Sequence, residues 1–228
     1  LKRSVAGEQL GAVVPRSFYD RDPLEVAPEL LGKLLVRGER RGRIVEVEAY
    51  RGESDPASHA FGGLRPRCAT MFGPAGHLYV YFTYGMHYCS NVVCLPDGIA
   101  GAVLLRALAA VAGEEAMIDS RLAARSRAKR AAGPPAARRL QPGDPEMLSG
   151  PARLCQGFGI DRSFDGIDLS DPASEVVVVD DGTPPPLVPA TGPRVGLGQK
   201  VGRAAELPWR FWVTGDRHVS AGAGQSRR

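Results

Sequence analysis

Apolar and polar positions change their period several times along the chain, and each change marks an element. Leu24, Ala27, Leu30 and Leu31 recur at helical spacing behind Pro23 and ahead of Gly32, which predicts a helix over 23–31. Lys33 to Val36 begins an apolar strand, Arg40-Arg41-Gly42 reads as a turn, and Arg43 to Tyr50 returns as a second strand. Residues 51–77 are rich in Gly, Pro, Arg and Ser and predict a long loop, functional or disordered. Leu78 to Tyr84, Asn91 to Leu95 and Ala102 to Leu108 predict three more strands, with turn chemistry at Pro96-Asp97-Gly98. Glu114 to Arg127 predicts a helix, and Ala152 to Phe158 another, with Ser149 as its N-cap. Short strands at Glu175 to Val179, Arg194 to Leu197 and Phe211 to Thr214 complete the pattern around a Gly/Pro loop at 181–193. A helix followed by neighbouring strands predicts an α+β fold on an antiparallel sheet. Residues 1–16 and 221–228 lack a period and predict a flexible lead-in and tail, leaving 17–220 as one domain.

A chain of 228 residues can bury a core without staples. Its 28 glycines and 19 prolines agree with many turns and short elements. The net charge of +4 is compatible with a polyanionic partner without requiring one. Cys68, Cys89, Cys94 and Cys155 form no CxxC pair, and neither a secretory segment nor a bilayer-length apolar run is visible. Reduced, buried thiols in a cytoplasmic protein are the expectation. His87-x-Cys89-x4-Cys94 matches no zinc spacing, so no metal is expected. P-loop, GxGxxG and zinc-deaminase signatures are absent. From Arg121 to Leu140 the chain carries seven basic residues and no acid, ending in a basic loop over 127–147. That run reads equally as a solvated helix end with a disordered loop and as a phosphate-contacting arm.

Four stretches could carry chemistry. Strand alternation puts Ile44, Glu46, Glu48 and Tyr50 on one face. A carboxylate beside a tyrosine suits a site that activates water next to a flat, stacked substrate, although the spacing alone fits a solvent-facing edge more readily. Alternation also groups Tyr79, Tyr81 and Thr83 against Val80, Phe82 and Tyr84. A tyrosine at a strand end before a glycine can protrude, and proteins that kink DNA push such side chains between base steps. His59 stands alone in the long loop, where a structural role is commoner than a catalytic one. Arg106, within an apolar strand, needs a partner, either a carboxylate inside the protein or a phosphate outside it.

The runs Gly42 to Tyr50, Ser58 to Ala60, Met71-Phe72, Gly76 to Met86, Asn91, Val103 to Leu108, Gly150 to Cys155 and Arg194 to Gly196 together resemble the alkyladenine (3-methyladenine) DNA glycosylase family. The likeness runs in order over residues 17–220. It implies a single mixed domain around a curved antiparallel sheet with flanking helices and no helix-hairpin-helix. It implies a monofunctional hydrolase of base excision repair that flips damaged purines out of double-stranded DNA and leaves an abasic site. Alkylated adenine and guanine, hypoxanthine and ethenoadenine are the substrates it suggests. Glu48 matches the catalytic acid that deprotonates the attacking water. Tyr50, His59 and Tyr81 match the walls around the flipped base, Asn91 the residue that disfavours a guanine-type amine, and Val195 a lining position. Tyr84 matches the residue that fills the gap in the duplex, and Arg106 a DNA-backbone contact. No lysine falls at a matched site position, so no Schiff base is expected. No cofactor, metal or membrane partner is implied, and a monomer suffices. The segment from Lys129 to Arg139 has no matching motif, and His87 and Ser90 look bacterial rather than vertebrate. Two other readings stay open: a damage-binding protein without turnover, and an RNA- or formyl-methionyl-tRNA-handling module.

Overall fold

The computed structural model describes residues 10–83, 86–129 and 139–220, leaving out the side chains of 125–129. In chain order its elements are β1 (Ala12–Val13), α1 (Arg16–Tyr19), α2 (Pro23–Leu30), β2 (Leu34–Arg37), β3 (Arg40–Tyr50), β4 (Leu78–Thr83), β5 (His87–Val93) and β6 (Ala102–Ala112). There follow α3 (Glu114–Lys129), α4 (Pro151–Phe158), β7 (Val177–Asp180), β8 (Ala190–Gly192) and β9 (Arg210–Trp212). Short 3-10 turns occur at Gly52–Ser54, Pro66–Phe72, Arg162–Phe164 and Gln199–Ala205. The strands form one antiparallel sheet in the order β1-β7-β2-β3-β6-β5-β4, with β9 pairing on both β3 and β8. The sheet curls into a half-barrel within one α+β domain.

Local chemistry accounts for the element ends. Asp22 caps α2 by accepting from the Leu24 N–H at 2.9 Å, and Pro23 occupies the first turn. The β2–β3 hairpin turns two residues earlier than the sequence pattern suggests. Gly38, with φ +57°, makes the tight turn, and Arg37 pairs with Arg40. Gly42 is a strand residue instead, because a Cβ there would lie 2.8 Å from Leu108 Cδ1. At α4 the N-cap is Gly150, φ +105°, and not Ser149, which is buried and bridges to Ala107. Residues 194–197 form no strand; Ala190–Gly192 pairs with β9 in their place.

Strand β3 is the axis of the sheet. Its first half pairs with β2, its second half with β9, and its full length with β6. Register shifts on both sides of Glu46 mark a β-bulge, which breaks the strict alternation expected over 44–50. As a result Ile44 joins Val47 and Ala49 in the main apolar core, with Leu105 and Leu108 from β6 and Phe158 from α4. Glu46 and Glu48 are left together, away from that core's apolar side chains. A smaller apolar cluster holds Ala60, Cys68, Met71, Tyr79 and Ala102, so the long loop over 51–77 is packed down.

The expected lead-in is ordered at its end: β1 pairs with β7, and Val14 is buried. Within the basic run, Arg121 is buried and donates to the carbonyls of Glu146 and Met147, which ties α3 to the segment before α4. Met147 and Leu148 belong to the main core, so the end of the 127–147 stretch is packed. Residues 130–138, 221–228 and 1–9 lie outside the described residues. All four cysteines are free and buried. Among the described residues no group of His, Cys, Asp or Glu could hold a metal ion, and no helix is long and apolar enough to cross a membrane.

Candidate active site

Several separate parts of the chain converge on one cavity of about 340 Å³. Tyr50 comes from the end of β3, His59 from the long loop, Tyr79 and Tyr81 from β4, Asn91 and Cys89 from β5, and Val195 from the segment before the last 3-10 turn. The five residues expected to line a base pocket (Tyr50, His59, Tyr81, Asn91 and Val195) thus share one wall system, and Arg106 reaches it from β6. A larger groove of about 570 Å³ lies near β1 and α2, but its charges are spent on each other as Arg21–Glu29 and Lys33–Asp180 pairs.

Glu48 sits behind the cavity wall, fully buried. Its Oε1 accepts from the Val195 N–H at 2.7 Å and faces Arg106 Nη1 at 3.1 Å, and its Oε2 accepts from the Tyr50 hydroxyl at 2.8 Å. An ionised carboxylate offers about four acceptor positions, so three donors leave room for one more. Burial, and then the neighbouring Glu48 charge, push the Tyr50 hydroxyl well above its ordinary range, so it stays a neutral donor.

Arg106 is the correction to the expected list. It is buried, with Nε on Glu46 at 2.8 Å, Nη2 on Ser220 Oγ at 3.0 Å and Nη1 on Glu48. Of the two partners the sequence allowed, the protein uses the carboxylate. A guanidinium engaged on all sides inside the fold is not placed as a backbone contact. Burial opposes its charge, but Glu48 and Glu46 outweigh that, and its pKa is raised. Glu46 also accepts from Arg210 at 2.7 Å and from the Ser220 N–H at 2.6 Å, so two acids and two arginines share one buried cluster.

His59 has a defined tautomer. The Tyr79 hydroxyl donates to the Arg67 carbonyl at 3.1 Å, so at 3.0 Å His59 Nδ1 is the donor to that oxygen. Burial, helped by Arg67 and Arg65, lowers the His59 pKa, so the ring is neutral and Nε2 is left as an acceptor. Its ring lies edge-on to Tyr81, with centroids 4.4 Å apart, while Tyr79 and Tyr81 stack at 5.5 Å. The Asn91 amide donates to the Tyr79 carbonyl at 3.1 Å, which fixes its head in the wall. Tyr84 falls at the β4–β5 turn, outside the described residues.

Tyr79 also lines the cavity and was not among the site residues named from the sequence; its alternation with Tyr81 is the signal that could have found it. Cys89 follows from Asn91 by the same rule. Asp55 and Ser220 carry no local signal, and Arg194 had only its place in the Arg194–Gly196 run; each is brought to the site by the fold.

A family model described as methylpurine-DNA glycosylase matches residues 17–217. The chain belongs to the methylpurine-DNA glycosylase family. It is similar to a protein of Burkholderia lata, 51% identical over 92% of each chain, and to one of Streptomyces avermitilis, 44% identical over 90% of this chain and 89% of that one. A third, from Koribacter versatilis, is 43% identical over 92% of this chain and 93% of its own. All three are provisionally named 3-methyladenine DNA glycosylases. As a member of the methylpurine-DNA glycosylase family, the chain is a DNA glycosylase and a hydrolase.

Proposed function

We propose that this glycosylase takes one damaged purine at a time out of double-stranded DNA and hydrolyses its bond to deoxyribose, leaving an abasic site. The observation that carries this reading is Glu48, a fully buried carboxylate held by three donors at the wall of a pocket of tyrosines and a histidine. Alkylated adenine and guanine, hypoxanthine and ethenoadenine are the proposed substrates. A flipped base costs a few kcal/mol of lost stacking. Stacking on aromatic side chains offsets this by about 1–3 kcal/mol per base, here on Tyr50 and Tyr81. Tyr84 would fill the gap left in the duplex.

Glu48 acts as the general base. Its remaining acceptor position takes the proton of a water that attacks the anomeric carbon opposite the purine, and its charge stabilises the cationic sugar that develops. The C–N bond breaks toward the base, which leaves with the electron pair. The Val195 amide, Arg106 and the Tyr50 hydroxyl hold the carboxylate still during this step. His59 Nε2 offers an acceptor to the bound purine, and Asn91 crowds out a guanine-type exocyclic amine. No lysine among the described residues lines the cavity, and water rather than a protein amine is taken as the nucleophile. The enzyme acts as a monomer with no cofactor, its substrate reached from one face.

The test is single-turnover release from a duplex bearing one hypoxanthine or one methylated adenine, with Glu48→Gln beside wild type. Wild type should release the base and leave an unbroken abasic strand, while the variant binds the duplex and releases nothing. A wild-type protein that binds lesions and releases none would make it a damage-binding protein instead.

A further inference from the structure

Arg194 lies directly behind the pocket. It is buried and does not line the cavity, whereas its neighbour Val195 does. Its guanidinium forms a two-pronged pair with Asp55, at 2.5 and 2.9 Å, with neither side chain exposed. It also donates to the carbonyls of Ala49, at 2.9 Å, and Ala204, at 3.2 Å. Its plane is held between two rings, with Cζ 4.6 Å from the Tyr50 centroid and 4.9 Å from that of Trp209. Tyr50 lines the cavity and Arg194 does not, so the cation covers the side of the ring turned away from the pocket.

We propose that Arg194 is a specificity-determining residue: its charge weakens the pull of the Tyr50 ring on cationic purines and so keeps the pocket open to neutral ones. This rests on the reading that Tyr50 stacks on the flipped base. The face of an aromatic ring attracts cations through its quadrupole. A guanidinium on one face already draws on that density. Its positive charge also repels a second cation across the ring, where little water screens the two. Asp55 offsets the charge at a distance, but the guanidinium is the partner in contact with the ring. The Tyr50 hydroxyl, by donating to Glu48, pushes density the other way, so the ring is set between a cation behind and an anion at its tip. An unmodified tyrosine wall would favour alkylated, positively charged bases most strongly. One backed by Arg194 favours them less.

Arg194 also fixes the Ala49 carbonyl next to Tyr50, and a purely structural role would slow release of every base alike. The discriminating readout is therefore a ratio. Duplexes carrying one 3-methyladenine, which is cationic and has no guanine-type amine, or one hypoxanthine, which is neutral, are compared in single-turnover release by the full chain. Wild type must release both; if it releases neither, the stacking reading fails first and on its own. Replacing both charges together, Arg194→Met with Asp55→Asn, avoids leaving a buried charge unpaired. That pair should raise the cationic-to-neutral rate ratio roughly fivefold or more. Arg194→Lys, which keeps the charge, should hold the ratio within about twofold of wild type. If the methionine pair fails to melt cooperatively, Arg194→Gln with Asp55→Asn is the second neutral pair and must give the same rise. A ratio that is unchanged or falls in a folded neutral pair, or that moves as far in Arg194→Lys, overturns the proposal.

Discussion

The two sides of strand β3 do opposite work. On one side Ile44, Val47 and Ala49 pack with Leu105, Leu108 and Phe158 in the main apolar core. On the other, Glu46 and Glu48 meet Arg106 and Arg210 with all four side chains buried. The apolar side gains stability from every methylene it removes from water. The charged side gains little, because desolvating four charges offsets much of their attraction. What the charged side gains is geometry: each carboxylate is held by donors from separate parts of the chain. Removing a methylene from the apolar side should therefore cost folding, whereas removing the Glu48 charge while keeping its shape should cost chemistry.

The sharpest break in that comparison is Glu48→Gln, which keeps shape and loses the base. Single-turnover base release should fall by about 10²–10⁴ while the melting temperature and damaged-duplex affinity hold. A variant that loses affinity and melting temperature in step with rate would mean that Glu48 is a structural residue. The mirror experiment is Leu105→Ala on the apolar side. It should cost about 2–5 kcal/mol in chemical denaturation, yet at a temperature where the protein is folded its base release should match wild type. A large fall in rate for the folded variant would show that the two sides are not separable.

Asn91→Ser tests the wall and not the acid. Discrimination between hypoxanthine and guanine-type bases should relax roughly tenfold, with stability unchanged, and an unaltered selectivity ratio would remove Asn91 from that role. The smallest effect concerns His59. Its folded pKa is lowered, so on acidification the unfolded chain takes up a proton that the folded one resists. The stability it contributes is present above the unfolded value of about 6.5 and is lost as pH falls from there toward the folded value. Melting temperature should drop by a few degrees more for wild type than for His59→Asn between about pH 7.5 and 5.5. Equal drops would mean that His59 protonates as easily in the fold as out of it.

Much of the fold was legible because its signals are local. Asp22 and Pro23 start α2 where the pattern begins, and alternation along β4 puts Tyr79, Tyr81 and Thr83 on the pocket face. The resemblance to a glycosylase family named the residues that the fold then brought to one cavity. Errors arose where a distant neighbour outweighed local preference. Gly42 looked like a turn but packs as a strand residue under Leu108, and Ser149 looked like a cap but is drawn into a bridge with Ala107. The apolar–polar alternation of β3 was misread at Ile44 because a bulge cannot be seen in one strand alone.

By itself, then, the sequence determined which residues could be strand or helix, where an acid and a tyrosine share a face, and to which family the motifs are similar. These depend on spacings of a few residues, over which backbone geometry dictates direction. Only the tertiary structure decided that Arg106 turns inward to Glu46 and Glu48, and that Arg194 and Asp55 back the Tyr50 ring. It likewise closed the carboxylate cluster with Ser220. A buried charge takes whichever partner the packing delivers, and those partners lie far apart in the chain.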